Sequence, residues 1–256
     1  NEEAVANYDR ALAIEPNYAF AWAGRGDALS ALGRYEEAIA SYDQAIVLKS
    51  DYYEAWNARG WALRNLGRYQ GAVASYDKAL AVKPDYHVAW ANRADALFKL
   101  NQHEEALASY DQALAIKPDD ASIQSDRAAA LNNLHRFQEA IRAADAALKL
   151  DDKYFHAWFV KGYAQNKLGL YEEALANLER ALQLNPSHDE SWVSHGVVLH
   201  NLGRYEDEIA SHDQAIAINP NHEWAWNNRG YALSKLGRYE EAIQNYDHAV
   251  IVKPDR

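Results

Sequence analysis

Two imidazoles and a carboxylate, packed into one short stretch, are the residues of this chain best suited to chemistry. The phrase EIASHDQAI, residues 208–216, carries Glu208 and His212 four residues apart, on one face of a helix, and His195 precedes them. Imidazole nitrogens and a carboxylate oxygen suit zinc. Buried together without a metal, the same groups suit a hydrogen-bonded cluster, because an unpartnered buried carboxylate is costly. A near-copy of the phrase, AIASYDQAI at residues 38–46, has alanine and tyrosine at the two changed places. The two changes therefore read as one local event. The expectation is a structural polar cluster of His195, Glu208 and His212, with Asp213 beside it. In it Glu208 bonds at least one of the two histidines and no metal is held. A metal site built from the three residues, or local loosening that exposes Glu208, are the alternatives.

Charged residues recur in a second pattern. Arg25, Arg59, Arg93, Arg127 and Arg229, with Lys161 and His195 at corresponding places, are matched by Asp43, Asp77, Asp111, Asp145, Glu179, Asp213 and Asp247, and by Asp9 near the start. A cation and an anion per unit predict a ladder of paired charges between helices, with Arg59 near Asp77 or near an aspartate one unit away. Such pairs set register more than they add stability. The other reading is a basic stripe open to ligand. Catalytic patterns are missing: there is no H-E-x-x-H, no G-x-x-x-x-G-K and no G-x-S-x-G. Paired carboxylates such as Glu36–Glu37 stand where helices start and face the positive end of the helix dipole. No enzyme activity and no cofactor are expected.

The elements that position these residues come from a strict period. Trp22, Trp56, Trp90, Trp158, Trp192 and Trp226 are 34 residues apart or twice that, and all 6 prolines keep the same spacing, Pro16 to Pro254. Alanines at Ala11, Ala45, Ala79, Ala113, Ala147, Ala181, Ala215 and Ala249 miss no copy. A half-unit at 1–18 is followed by full units at 19–52, 53–86, 87–120, 121–154, 155–188, 189–222 and 223–256, read as one array over 1–256. Within a unit, Trp22, Gly26 and Leu29 share one helical face, Gly33 stops the helix, and Ala38, Tyr42 and Ala45 form the stripe of a second helix. The fourth unit departs most, with Gln124 for Trp, His135 for the turn glycine and Ala144 for Tyr. A looser joint or small pocket is expected there, unless Ile123 and Phe137 compensate.

Trp56, Gly60, Leu63, Gly67, Tyr69, Ala72, Tyr76, Ala79 and Pro84 give the second full unit a signature that resembles the tetratricopeptide repeat (TPR) family, in the manner of a bacterial multi-repeat array. The resemblance covers the entire chain. It implies an all-α, right-handed superhelical solenoid of antiparallel helix pairs, with first helices lining a concave groove. First-helix positions outside the packing pattern are then the groove candidates: Phe20, Asp27, Asn57, Trp61, Arg64, Asn92, Asp95, Phe98, Asn132, His156, Phe159, Tyr163, Asn166, His200, Trp224, Asn227 and Tyr231. Large aromatics among them are candidate ligand anchors, or else local packing between neighbouring units. The place directly after the repeat's Trp is never Lys, so the carboxylate clamp of some TPR proteins is not expected.

Composition limits the partners. With 49% hydrophobic and 12% aromatic residues the chain has the material of a folded protein, and its net charge of −11 disfavours nucleic acid. No apolar run approaches the roughly 20 residues needed to span a bilayer, and no signal peptide opens the chain. Cysteine is absent, which excludes disulfides and leaves a cytoplasmic location as the default. A chain opening at Asn1 with half a unit and ending without a polar cap is expected to be a piece of a longer polypeptide, with apolar surface at both ends. The expected function is a scaffold binding a protein or peptide in the groove. The alternative is self-assembly into a homo-oligomer through the uncapped ends.

Overall fold

The computed structural model describes residues 1–252, so Pro254 and the close of the last unit at Arg256 lie outside the described residues. Among the described residues fifteen α-helices alternate with short turns, and there is no strand. α1 (Glu2–Ile14) is the second helix of the half-unit. Then follow α2 (Ala19–Ser30), α3 (Tyr35–Leu48), α4 (Tyr53–Asn65), α5 (Tyr69–Val82), α6 (His87–Lys99), α7 (His103–Ile116), α8 (Ala121–Asn133), α9 (Phe137–Leu150), α10 (Phe155–Lys167), α11 (Tyr171–Leu184), α12 (Asp189–Asn201), α13 (Tyr205–Ile218), α14 (Glu223–Lys235) and α15 (Tyr239–Val252). Even-numbered helices are the first helix of each repeat and odd-numbered helices the second. No helix among the described residues is long and apolar enough to cross a membrane.

Contacts divide the chain into two compact units, Asn1–Ala130 and Leu131–Arg256. Within the first, α2 packs on α3, α4 on α5 and α6 on α7, and α1, α3 and α5 also pack on α2, α4 and α6, the first helices that follow them. The second unit repeats the arrangement from α9 to α15. The boundary falls inside α8, in the repeat that lacks Trp, turn Gly and Tyr. There Ile123 and Ala144 are buried.

In most helix pairs a small residue of the first helix lies against a ring of the second, while Gly162 lies against Leu178. A Cβ added at Gly26 would come within 2.5 Å of the Tyr42 ring, and one at Gly60 within 2.6 Å of Tyr76. Both tyrosines are buried. The indole of Trp22 donates to the Pro16 carbonyl at 2.8 Å, and Trp56, Trp90, Trp158, Trp192 and Trp226 make the same bond six residues back. The tryptophan thus ties six of the seven full repeats to the loop leading into them, all but the fourth, which has Gln124.

The turn inside a repeat is a Schellman motif. Gly33 has φ +76°, its N–H bonds Ser30, and the Arg34 N–H reaches back to the Leu29 carbonyl at 3.0 Å. His135 keeps the same left-handed geometry at φ +57° without being glycine. A side chain in that region costs about 1–2 kcal/mol, partly offset in glycine by its looser unfolded chain. His135→Gly is therefore expected to stabilise by about 0.5–1 kcal/mol, read as a raised melting temperature. An unchanged or lowered melting temperature would contradict a strained turn.

Candidate functional site

In the first compact unit, the faces of α2, α4 and α6 carry the expected groove residues in two kinds of setting. Asp27, Ser30, Ala31, Tyr42, Asn57, Ala58 and Trp61 line a pocket of about 350 Å³. The Tyr42 hydroxyl donates to Asp27 Oδ1 at 2.8 Å and lies 3.2 Å from Ser30 Oγ. Burial raises the pKa of Asp27 above the usual carboxylate range, against the opposing Tyr42 hydrogen bond. Trp61 meets Tyr35 edge-on at 5.8 Å. One repeat on, Asp95 occupies the place of Asp27 and accepts from the Tyr110 hydroxyl at 2.8 Å. Arg64 of the preceding repeat pairs with it at 2.6 Å. Asn92 donates to Asn57 at 3.1 Å. Phe20 is half exposed and packs against Tyr52 at 5.1 Å, and Phe98 packs edge-on against His103 at 5.0 Å. Asp126, which the repeat pattern did not single out, has its pKa pushed up to about 7, by burial first and then by the charge of Asp95.

In the second compact unit the candidates divide further. Asn132 is buried and donates to the Val160 carbonyl at 2.9 Å, so it belongs to the packing between helices and not to an open groove. Phe159 lies 6.0 Å from the His156 ring and 5.1 Å from His188, which makes it local packing between repeats. Burial, with the nearby His188 charge, pulls the His156 pKa down to about 4. Asn166 accepts from Asn201 at 2.9 Å, and Lys167 sits 5.3 Å from the ring of Tyr163. Trp224, Asn227 and Tyr231 remain open to solvent on α14.

The paired charges form a ladder that runs between repeats. Arg59 Nε lies 2.6 Å from Asp43, and Arg25–Asp9, Arg93–Asp77, Arg127–Asp111, Lys161–Asp145 and Arg229–Asp213 repeat the contact at 2.6 to 2.8 Å. Each pairs with the preceding second helix, not the one in its own repeat. The other side of the guanidinium is held by the repeat's own second helix. Arg25, Arg59 and Arg93 donate to Ser41, Ser75 and Ser109, and Arg229 donates to Asn245. These serines carry no charge and no large surface, so a pattern of charge and bulk passed over them. With each of the six paired with a carboxylate, and four of them held on both sides, the cations do not form a free basic stripe.

The polar cluster differs from its expected membership. Glu208 is 1% exposed, and its Oε2 lies 2.9 Å from Nδ1 of His200. His212 Nε2 stands 3.7 Å from Oε1, within ion-pair range but beyond a hydrogen bond. His195 points elsewhere: its Nδ1 is 2.9 Å from Ser211 Oγ and its Nε2 4.0 Å from Glu179, the ladder geometry of the arginines it replaces. Burial, then the charge of Arg204, holds its pKa down at about 4. The cluster is therefore His200, Glu208 and His212. The reason is steric. In the first and third full repeats a tyrosine ring, that of Tyr42 or Tyr110, crosses the small residue and carries its hydroxyl to the first helix. The shorter imidazole of His212 also lies on its glycine, Gly196, but stops short. Glu208, one turn earlier, extends into the space and delivers its carboxylate to His200, the counterpart of Ser30 in the Tyr42 network. No group of three or more His, Cys, Asp or Glu residues among the described residues is arranged to hold a metal.

Sequence profiles described as tetratricopeptide repeat or TPR repeat match residues 7–40, 26–66, 57–121, 156–188, 189–222 and 213–244. No curated protein matches the chain. Among solved structures, a tetratricopeptide repeat protein from Parabacteroides merdae superposes with a TM-score of 0.77 at 17% identity, covering 93% of this chain and 94% of that one. PilW, described as a widely conserved type IV pilus biogenesis factor, gives 0.72 at 23% identity over 80% of this chain and 94% of its own. YrrB, described as a TPR protein with an unusual peptide-binding site, gives 0.54 at 24% identity over 72% and 95%. At these identities the likeness is one of fold.

The exchange at Glu208 and His212 is open to a double-mutant cycle. His212→Tyr alone drives a phenol into the glutamate and is expected to cost about 1–3 kcal/mol. Glu208→Ala alone leaves a void beside two histidines and is expected to cost a similar amount. Together they recreate the alanine–tyrosine pair of the other repeats. The double variant is expected to be at least as stable as the parent, with a coupling above about 1 kcal/mol in urea denaturation. Additive losses would mean that the two residues do not share one space.

Proposed function

Because the chain belongs to the tetratricopeptide repeat family, we propose that it is a protein-interaction scaffold, not an enzyme, which binds a peptide or protein segment along the first-helix faces of its repeats. The observation carrying this reading is that Trp61, Trp224 and Tyr231 stand on first helices outside the repeat's packing signature, with part of each ring accessible even where Trp61 meets Tyr35 and Tyr231 meets His200. Buried aromatic anchors dominate binding energy where a partner covers them. Helical grooves are a common seat for peptides. The peptide-binding site described for YrrB lies on the same fold and is in keeping with this role.

A second reading rests on α15. Tyr239, Ile243 and Val250 share one helical face and are 63%, 58% and 64% exposed. Their counterparts Ile39 and Ile46 on α3 are only 9% and 8% exposed, because α4 packs over them. Among the described residues no helix covers this face, and a face of this kind is suited to joining a second copy of the chain.

The two readings separate by experiment. Affinity capture from extracts of the source cells with the tagged chain is compared with a Trp61→Ala, Tyr163→Ala, Trp224→Ala variant of unchanged circular dichroism. The variant is expected to retain about a tenth or less of the bound protein. Equal recovery would remove binding through the first helices. For self-association, light scattering is expected to show a mass rising with concentration, abolished by Ile243→Glu with Val250→Glu. A monomer at every concentration would exclude it.

A further inference from the structure

The pocket between α2 and α4 has an acid without a counter-charge. Among the described residues no Lys or Arg lies within ion-pair distance of Asp27, and Tyr42 occupies only one carboxylate oxygen. The opposite wall is Trp61, an electron-rich ring whose indole N–H, unlike those of the six repeat tryptophans, makes no hydrogen bond among the described residues. Asn57 adds a side-chain carbonyl, already approached by Asn92. At about 350 Å³ the space stands at the small end of ligand pockets, suited to one side chain rather than a cofactor.

The same compact unit shows what such a site accepts. Asp95 is built as Asp27 is: the same place on its helix, with the same 2.8 Å bond from a tyrosine hydroxyl. There a guanidinium of the chain itself, that of Arg64, occupies the carboxylate at 2.6 Å. At Asp27 that partner is not supplied, and Trp61 offers a ring face in addition. An aromatic face beside a carboxylate favours a flat, weakly hydrated cation over an apolar group. The net charge of −11 draws the same class of ligand.

The geometry points to this pocket as a subsite for one arginine or lysine side chain of the bound peptide, its cation on Asp27 and its stem along Trp61. This rests on the binding reading above and adds the chemistry of the ligand. A basic peptide is the occupant, not an acidic one, which separates it from the carboxylate-clamp mode.

N-acetyl-arginine amide, and its uncharged isostere N-acetyl-citrulline amide, are titrated into the isotopically labelled chain. The signals followed are the Trp61 indole N–H, assigned through Trp61→Phe, and the Asn57 side-chain amide. Arginine is expected to give saturable shifts at both, with citrulline at least fivefold weaker and the arginine response declining as salt is raised. Asp27→Asn, which can still accept from Tyr42, is expected to bring arginine down to the level of citrulline. Equal responses to the two probes in the parent chain, saturation mapped away from Trp61, or no response at millimolar concentrations would overturn the subsite. The parent-chain comparison needs no variant, so it stands even where Asp27→Asn fails to fold. Loss of captured protein in the Trp61, Tyr163 and Trp224 variant, with no arginine selectivity here, would overturn the subsite alone and leave the binding reading intact.

Discussion

The approach of a small first-helix residue onto the second helix, in most repeats onto an aromatic ring, is the contact on which everything else in a repeat depends. Gly26 on Tyr42 and Gly60 on Tyr76 leave no room for a Cβ. Because the helices come that close, a tyrosine crossing from the second helix is long enough to carry its hydroxyl to the far face of the first. The hydroxyl of Tyr42 emerges beside Asp27 and Ser30, and that of Tyr110 beside Asp95. The packing residue of the core is thus also the hydrogen-bond donor of the candidate binding surface. A change in the core ring is felt at the surface, and the reverse holds too.

The ion-pair ladder acts on a different link, that between neighbouring repeats. A guanidinium held by the aspartate before it and the serine beside it can satisfy both only in one register of the stack. The individual pairs are partly exposed and each contributes little to stability, on the order of 1 kcal/mol or less. Their repetition, with the tryptophan bonds to the preceding loop, makes the register specific without a large apolar interface at every joint. Where the cation becomes His195, the geometry survives while burial disfavours the charge.

The sixth repeat shows how much freedom that frame leaves. Removing a phenol and adding a carboxylate one turn earlier keeps the volume and moves the polar atom. Glu208 serves the same first-helix place that Tyr42 serves, with His200 where Ser30 stands. A fully buried carboxylate is tolerated because one imidazole bonds it and another lies 3.7 Å away. The polar cluster expected from the sequence is, in the folded repeat, built on His200 rather than His195, and Glu208 takes the place of a tyrosine hydroxyl.

The sequence alone determined the period, the helix pairs, the turn glycines and the family, because each rests on a local rule repeated in phase: apolar spacing, a left-handed stop, an acidic first turn. Even His135 declared its turn by standing where glycine belongs. It also determined that Arg59 has an aspartate partner. Only the tertiary structure decided which one, since Asp43 and Asp77 fit the pattern equally and the choice depends on how adjacent helices rotate. The same limit hid Ser41 and its repeats, the burial of Asn132, and the exchange of His195 for His200 as the partner of Glu208. Residues eight or sixteen apart on different helices meet, or fail to, according to the direction of side chains across an interface. A period states which residues are equivalent, whereas contact requires knowing where the neighbouring helix places its own.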